Sequence, residues 1–460
     1  MKTTSPAYPS ILTTLTALLL AACPVVGSTE LPAGSSCSFT HHSGDALPRL
    51  TLTDAGNHAW TIQSSPNLLD WTNAGTVRVY NGLRRTAFLA DGTGGTRYFR
   101  SVYEPFPAES LSTSSMALLL PATTANYANP VLPAAFRAQP ILGQDNTPAN
   151  NPVTDAGATL GRVLFYDKRL SLNQSISCAS CHQQAHGFSD PAKFSVGFDG
   201  GLTGRNSMGL ANARWYLRRA FFWDERAATL EIQVLQPIQN AVEMGMSLPV
   251  LETRLAAEPF YADLFTRAFG TSAVTSDRIA RALAQFVRSI VSTSAKYDAG
   301  VTSNFANFTA QEALGRQIYN GQVGNATCLA CHGTDNFVPG PGINNNGLEN
   351  PYTDKGLGEV TGRPQDEGLF KVPSLRNIAF TAPYMHDGRF ATLEEVVEFY
   401  NSGITAHPNL SPPLRNGNGT PRRLNLTAAQ KAALAAFLRT LSDTSLPTDA
   451  RFSDPFNYGP

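Results

Sequence analysis

Residues 178–182 read Cys-Ala-Ser-Cys-His, and residues 328–332 read Cys-Leu-Ala-Cys-His. In each stretch two cysteines three positions apart can form thioethers to the two vinyl groups of one porphyrin, and the following histidine can bind the iron. A thioredoxin-like pair does not need that histidine, and a zinc site would need a further ligand nearby. We therefore expect two covalently bound c-type haems. Their ligands would be Cys178, Cys181 and His182 for the first, and Cys328, Cys331 and His332 for the second.

The composition fits a globular chain of several domains. The chain has 460 residues, of which 42% are hydrophobic and 15% charged, so it can build buried cores. Its formal net charge is +0. Nucleic acids and anionic membranes attract chains with an excess of Lys and Arg, so this balance argues against both kinds of partner. Electrostatic docking of a redox partner must then be local.

The N-terminus has the pattern of a secretion signal over residues 1–28. Lys2 is followed by a short apolar run that ends at Ala22 and is too short to span a membrane as a helix. Cleavage near Ser28 and lipidation of Cys23 both remain open. Haem attachment to such motifs takes place outside the bacterial cytoplasm. We therefore expect an exported protein, in the periplasm or held at the cell envelope.

Residues 35–104 are expected to form a separate module, because apolar and polar residues alternate from about Pro48 to Tyr103 as in half-buried strands, for example around Leu50 and Leu52. The stretch resembles a small β-sandwich module of exported bacterial proteins, which implies a spacer or adhesion role. It contains Cys37, for which no disulfide framework is expected. A linker rich in Ser, Thr, Pro and Ala follows over residues 105–126.

Beyond the linker the chain becomes helical and repeats one plan. A helix that starts at Asp155 precedes the first haem motif, and one capped by Thr309 and Glu312 precedes the second. Long amphipathic helices follow the motifs, one from Ser276 and one capped by Thr427. A helix before the haem motif and an amphipathic helix after it is the plan of cytochrome c. The predicted fold class is mainly α, with two cytochrome c-like haem domains and a small N-terminal all-β domain.

From about Tyr127 to Leu441 the chain resembles the bacterial di-haem cytochrome c peroxidase family and, within it, the MauG-like branch. The resemblance implies a catalytic haem domain over residues 127–300 and an electron-transfer haem domain over residues 301–445. Three long segments carry it: LGRVLFYDKRLSLNQSISCASCH from residue 160, FFWDERAATLEIQVLQPIQNAVEMG from residue 221 and KVPSLRNIAFTAPYMHDGRFATLEEVVEFYNSG from residue 371.

The middle segment contains the candidate catalytic residues. Glu243 and Gln233 are separated by a turn after Pro237 and could both face one pocket. Cleavage of peroxide on a haem needs a base that moves a proton and hydrogen bonds that position the peroxide, roles that fit Glu243 and Gln233 respectively. The resemblance implies that these three residues line the distal side of the first haem and that Trp223 lies between the haems. Glu225 departs from the family, which usually has glycine there.

A histidine that blocks the first iron in many di-haem peroxidases has no counterpart here. The corresponding loop is Ser195–Gly200, and Phe198 takes the place of that histidine. His186 is so close to His182 that we assign it to the surface of the haem loop. The first iron is therefore expected to be high-spin and open to peroxide, as in the MauG-like branch.

The second haem is expected to have a tyrosine ligand. Tyr400 lies on the apolar face of a helix capped by Thr392 and closed by Gly403. The resemblance implies Tyr400 as the second ligand beside His332, where related peroxidases have methionine, and a phenolate stabilises oxidised iron. Met385 and His386 are the alternative ligands.

The resemblance further implies one calcium ion between the haem domains, held by the side chain of Asn206 and the carbonyls of Thr381 and Pro383.

The leading functional hypothesis is a di-haem peroxidase that reduces hydrogen peroxide with electrons from a small redox protein, a cytochrome c or a copper protein. The first alternative is MauG-like, peroxide-dependent oxidation of Trp or Tyr residues on a partner protein. The second is a non-catalytic electron-transfer cytochrome, which would not need an acid/base pair such as Glu243 and Gln233.

Overall fold

The computed structural model describes residues 117–457, apart from positions 122, 327 and 339–341, together with residue 69 and six strands between residues 36 and 105. The predicted signal segment with Cys23, and residues 106–116 of the predicted linker, lie outside the described residues. The chain divides into two compact units, residues 1–116 and 117–460.

The first unit contains six described strands, five of them in the segment where apolar and polar residues alternate. They are β1 (Ser36–Thr40), β2 (Arg49–Thr53), β3 (His58–Ser65), β4 (Thr72–Val79), β5 (Arg85–Phe88) and β6 (Tyr98–Pro105). β2 pairs antiparallel with β1 and β5, and β3 pairs antiparallel with β4 and β6. The β-sandwich domain as a whole stays a prediction.

The second unit is mainly helical, which confirms that part of the predicted fold class. Its helices are α1 (Asp155–Tyr166), α2 (Cys178–Cys181), α3 (Leu230–Gln239), α4 (Leu248–Ala256), α5 (Pro259–Phe269), α6 (Ser276–Ser289), α7 (Lys296–Thr302), α8 (Ala310–Tyr319), α9 (Leu357–Thr361), α10 (Leu393–Glu398) and α11 (Ala428–Arg439). Short strands complete it: β7 (Ala117–Leu118), β8 (Ile343–Asn344), β9 (Phe370–Lys371) and β10 (Phe456–Asn457).

In the first half of this unit, the helix before the haem motif crosses the long amphipathic helix after it. α1 begins where the side chain of Thr154 accepts a hydrogen bond from the Gly157 N–H. At the crossing, a Cβ on Gly161 would lie 1.9 Å from the carbonyl oxygen of Ala282 and 2.8 Å from the Cβ of Phe286. Only glycine lets the two backbones approach this closely.

The second half repeats the crossing with α8 and α11. The predicted capping box of Thr309 and Glu312 is formed at the start of α8. A Cβ on Gly315 would lie 2.0 Å from the carbonyl oxygen of Ala433 and 2.7 Å from the Cβ of Phe437. The same glycine contact therefore fixes both haem-binding halves, which agrees with the predicted duplication.

A helix and an ion pair connect the two halves at the predicted domain boundary. The predicted domain boundary at residue 300 falls inside α7, and Asp298 on that helix forms an ion pair at 2.7 Å with the buried Arg376 of the second half. Within the predicted linker, β7 pairs with β10 near the C-terminus. None of the described helices has both the length and the apolar character needed to cross a membrane.

Candidate functional site: two haem-binding motifs on one cavity

Each Cys-x-x-Cys-His motif forms a tight helical turn. The His182 N–H donates to the Cys178 carbonyl at 2.9 Å, and the His332 N–H donates to the Cys328 carbonyl at 2.8 Å. Burial raises the pKa of the Cys178 and Cys328 thiols to about 12. The motifs therefore have the same local conformation, with neutral thiols next to the histidine.

A backbone carbonyl orients each histidine ring. The Nδ1 atom of His182 lies 2.9 Å from the carbonyl oxygen of Phe188, and that of His332 lies 3.4 Å from the carbonyl oxygen of Phe337. Burial lowers the pKa of His182, and it lowers that of His332 to about 4, so both rings are neutral. With Nδ1 occupied in this way, Nε2 is the nitrogen left to bind a metal. The residues of both motifs thus fit the haems that the sequence predicts.

One cavity of about 840 Å³ brings the predicted site residues together. Its walls include both histidines of the haem motifs and the following residues predicted from the sequence: Trp223, Gln233, Pro237, Glu243, Met385, His386, Tyr400, Asn206, Thr381 and Pro383. Residues far apart along the chain therefore share one site, as the hypothesis of two communicating haems requires.

Glu243 reaches the cavity through a turn that follows α3. The side-chain oxygen of Asn240 accepts hydrogen bonds from the backbone N–H groups of Val242 and Glu243, at 2.8 and 3.1 Å. Gly245 closes the turn with a positive φ of 63° and donates its N–H to the Asn240 carbonyl at 2.8 Å. Pro237 was expected to lead this turn, but it lies inside α3. Asn240 and Gly245 fold the chain back.

The side chains of Glu243 and Gln233 are available for chemistry. Neither of them forms a hydrogen bond to any other side chain or backbone group in the described part of the chain. Burial raises the pKa of Glu243, while the nearby charge of Arg226 acts in the opposite direction. A carboxylate whose pKa is raised toward neutrality is better suited to exchange protons at neutral pH.

Phe198 packs away from the cavity. Its N–H donates to the Glu243 carbonyl at 2.8 Å, and a Cβ on Gly245 would lie 2.5 Å from its ring, so the loop is packed against the turn that holds Glu243. No residue of the loop 195–200 lines the cavity, and neither does His186. This agrees with the expectation that no histidine from this loop blocks the first haem.

Trp223 connects the two halves. Its indole N–H donates to the Asn206 carbonyl at 2.9 Å, and its own carbonyl accepts from the Lys371 N–H at 2.7 Å. Its ring meets that of His386 edge to face, with the centroids 6.4 Å apart. Trp223 is thus held by residues of both halves on the wall of the shared cavity. Its role as an electron relay stays a prediction.

Tyr400 follows α10 in a π-helical turn, Phe399–Gly403. The predicted capping box of Thr392 and Glu395 begins this helix. Tyr400 lines the cavity, and burial raises its pKa, while the nearby side chain of Asn346 acts in the opposite direction. Single π turns inside α-helices are frequent at functional sites.

The two alternative ligands already have other contacts. The ring of His386 is stacked on Phe370 with the centroids 3.8 Å apart, and its Nε2 lies 3.8 Å from an Asp354 oxygen. The sulfur of Met385 accepts a hydrogen bond from the Asn346 amide at 3.5 Å. All three candidate ligands line the cavity, and the ligand role of Tyr400 stays a prediction.

The chain is similar to known di-haem proteins. The family described as di-haem cytochrome c peroxidase matches residues 155–304. The methylamine utilization protein MauG of Methylorubrum extorquens is 34% identical over 345 residues, which cover 73% of this chain and 91% of that protein. The chain belongs to the di-haem cytochrome c peroxidase family.

Further relatives in this family include peroxidases by name. The cytochrome c551 peroxidase of Nitrosomonas europaea is 36% identical over 293 residues, 63% of this chain and 83% of that protein. Among solved structures, a MauG-like protein associated with microbial copper homeostasis is 38% identical, with a TM-score of 0.60 over 67% of this chain and 95% of its own. The di-haem peroxidase BthA of Burkholderia thailandensis is 26% identical, with a TM-score of 0.56 over 68% of this chain and 92% of its own.

As a member of the di-haem peroxidases, the protein is an oxidoreductase acting on peroxide and carries two haems c. The alternative of a non-catalytic electron-transfer cytochrome is therefore set aside. The calcium ion is different, because it stays a prediction. The side-chain nitrogen of Asn206 donates to the Ala192 carbonyl at 3.0 Å. The side-chain oxygen, the predicted calcium ligand, is not the atom used in this hydrogen bond. In the described residues no group of three or more His, Cys, Asp or Glu side chains could hold a metal ion.

The structure adds residues that the sequence analysis of this di-haem peroxidase did not single out. Asn346 lines the cavity and donates to the sulfur of Met385, yet it lies in an Asn-rich loop without a helix or strand pattern. Tyr216 lines the cavity and donates a short hydrogen bond to Glu225. Glu225 has a positive φ of 55°, which explains why glycine is the usual residue in the family. The glutamate at position 225 was the one feature of the sequence that pointed to the contact between Tyr216 and Glu225.

Proposed function

We propose that this protein reduces hydrogen peroxide at an open first haem and takes electrons through the second haem from a small redox protein. The observation that carries this proposal is the pairing of Glu243 and Gln233 on the cavity wall, next to a loop whose Phe198 points away from the cavity. An acid/base group beside an accessible haem face is what peroxide cleavage requires.

When bound, a haem supplies the iron at which the oxygen–oxygen bond of peroxide is cleaved. Glu243 takes the proton from the oxygen of peroxide nearer the metal and returns it to the oxygen that leaves as water. Gln233 donates a hydrogen bond that holds peroxide in the orientation for this transfer. Pro237 has no backbone N–H and cannot donate a hydrogen bond to the Gln233 carbonyl one helical turn earlier. The carbonyl of the proposed positioning residue therefore lacks that helical hydrogen bond.

His332 and Tyr400 would hold the second haem. Tyr400 lies in the π-helical turn after α10 and lines the cavity. Trp223, hydrogen-bonded to both halves, would relay electrons between the two sites. The donor would be a cytochrome c or a copper protein, docked by local charges because the net charge of the chain is +0.

A second candidate is peroxide-dependent oxidation of Trp or Tyr residues on a partner protein. Two observations favour it: Tyr400 lines the cavity, and the loop 195–200 contains no histidine. A phenolate ligand stabilises oxidised iron, which suits storage of oxidising equivalents. The similarity to MauG of Methylorubrum extorquens supports the same candidate.

We further propose export to the periplasm or cell envelope, which rests on the signal pattern of residues 1–28 and on the site of haem attachment in bacteria. The β-strand unit would act there as a spacer. A calcium ion held by Asn206, Thr381 and Pro383 would stabilise the contact between the halves, since all three residues lie on the shared cavity.

The test uses the purified oxidised protein, checked for two haems per chain by a haemochrome assay. Optical and EPR spectra are recorded before and after stoichiometric peroxide, and turnover is measured with a reduced cytochrome c. We expect a high-spin first haem that reacts without prior reduction. Two low-spin haems and no reaction until half-reduction would refute the open site. Fast reaction with peroxide but no turnover with any small donor would favour the second candidate.

A further inference from the structure

A second group of polar residues borders the haem cavity, centred on a tyrosine that the proposed mechanism does not use. Tyr216 is only 2% exposed and lines the cavity. Its hydroxyl donates a short hydrogen bond to the carboxylate of Glu225. Burial and the charge of Glu225 together raise the pKa of Tyr216, so the phenol is protonated in the resting protein.

Glu225 is held as the acceptor of this proton. It is 8% exposed, and its carboxylate receives the Nε–H of Arg218 at 2.9 and 2.7 Å and forms an ion pair at 2.6 Å. The Arg218 side chain is 33% exposed, so the group extends from the cavity to the surface. The backbone of Glu225 is in the left-handed region, which is costly for a residue other than glycine and which recurs at functional sites.

Lys371 sets the charge around the ring. Its Nζ lies 2.8 Å from the centroid of Tyr216, and its backbone N–H donates to the carbonyl of Trp223 at 2.7 Å. Burial lowers the pKa of Lys371 to about 7, against the opposing charge of Glu225, so near neutral pH the amine is charged in part of the molecules. In its charged form it attracts the electrons of the ring and opposes a positive charge on it. The ring can therefore lose an electron readily only if the hydroxyl proton leaves at the same time. Glu225 is the base in contact with that proton.

We propose that Tyr216 is a redox-active residue, oxidised to a neutral tyrosyl radical as its proton moves to Glu225. The inference rests on the proposed function, because the oxidant is the peroxide-oxidised haem centre. One electron leaves Tyr216 by way of Trp223 and reduces that centre by one equivalent. The O–H bond of Tyr216 breaks, and Glu225 becomes a neutral carboxylic acid. A one-electron donor at the surface near Arg218 restores the phenol, and the proton returns from Glu225.

The chain itself offers a matched control. Tyr261 is fully buried and donates to a carboxylate oxygen of Asp167 at 2.7 Å, and Asp167 is paired with Arg169 at 3.3 Å. This triad repeats the chemistry of Tyr216, Glu225 and Arg218, but Tyr261 does not line the haem cavity. A merely structural tyrosine–carboxylate contact should behave in the same way at both places.

The experiment uses the full-length protein with both haems, with ring-deuterated tyrosine incorporated, and freezes it at intervals after peroxide is added. EPR should detect a tyrosyl signal whose hyperfine width changes on deuteration. We expect the signal to vanish in Tyr216→Phe and to persist in Tyr261→Phe. In Glu225→Gln, which keeps a hydrogen-bond acceptor but removes the base, the radical should form more slowly by on the order of 10²-fold.

Three results would overturn the inference: an unchanged signal in Tyr216→Phe, an unchanged rate in Glu225→Gln, or the absence of any tyrosyl signal in the parent protein. If peroxide still changes the haem spectrum in those samples, the proposed function stands and only the inference is lost. If peroxide changes neither the haem spectrum nor the EPR signal, both are lost. If Tyr216→Phe fails to bind two haems, the rate of radical formation in Glu225→Gln still tests the inference.

Discussion

In the first haem-binding half Gly161 lies against the carbonyl of Ala282, and in the second half Gly315 lies against that of Ala433 in the same way. Both halves also orient the haem-motif histidine through the carbonyl of a phenylalanine a few residues later. They differ in the segments that reach the cavity between them. The first contributes Glu243 and Gln233, the proposed base and positioning residue, whereas the second contributes Tyr400, the proposed ligand of the second haem. One scaffold therefore supports two chemistries because function depends on the segments attached to it.

Removing the base of the first half should have the largest effect. Glu243→Gln keeps the size of the side chain but cannot accept a proton, so the reaction with peroxide should slow by on the order of 10² to 10⁴-fold. Because burial raises the pKa of Glu243, the parent protein should lose rate as the pH falls through that raised pKa, and the variant should lose this limb. Stopped-flow mixing with peroxide at several pH values measures both.

Asp263→Asn, which removes an exposed carboxylate from α5, is the control for Glu243→Gln and should leave the rate and its pH dependence unchanged. If Glu243→Gln reacts with peroxide at a near-normal rate, Glu243 is not the base, and the proposed difference between the two halves is wrong.

The shared helix crossing can be tested by adding one methyl group to each half. Gly161→Ala and Gly315→Ala should each lower the free energy of unfolding by about 1–3 kcal/mol, because the new Cβ overlaps a backbone carbonyl that cannot rotate away. Thermal or denaturant unfolding of the protein with both haems measures the loss. Gly417→Ala, where no atom lies within 4 Å of a new Cβ, is the control. Equal stability of all three variants would contradict the role of the two glycine contacts, and a loss in only one half would contradict the equivalence of the crossings.

Gln233→Leu separates positioning from proton transfer within the first half. The change removes one hydrogen bond to peroxide, worth about 1 kcal/mol, so the reaction should slow by roughly fivefold. The low-pH limb should remain, since Glu243 is unchanged. A loss as large as that of Glu243→Gln, measured in the same stopped-flow experiment, would mean that the two side chains act as one unit.

Tyr400→Phe should have the smallest effect on the first reaction with peroxide and a clear effect on the second haem. We expect a near-normal rate of that reaction, an altered low-spin EPR signal and a shorter-lived oxidised state. Tyr384→Phe is the control, because Tyr384 also lines the cavity but donates its hydroxyl to the Ile378 carbonyl at 3.0 Å. An unchanged low-spin signal in Tyr400→Phe would transfer the ligand role to Met385 or His386.

The haem-binding plan could be predicted from the sequence because its signals are local. A Cys-x-x-Cys-His motif fixes both thioether positions and the histidine within two turns of chain, and the capping box of Thr309 and Glu312 lies within four residues. The turn around Glu243 was harder to predict from the sequence. Pro237 was expected to form it, but the hydrogen bonds of Asn240 and the positive φ of Gly245 do so.

The sequence by itself determined two haem motifs, a mainly helical fold and the residues that could serve a peroxidase, since each depends on neighbours along the chain. Only the tertiary structure decided which of those residues share a cavity, and that Phe198 packs against Gly245. It alone revealed that Tyr216, Glu225 and Lys371 meet beside Trp223. Contacts between distant segments depend on how the helices cross and on which side chains each loop buries. Neither can be predicted from the order of residues within a short segment.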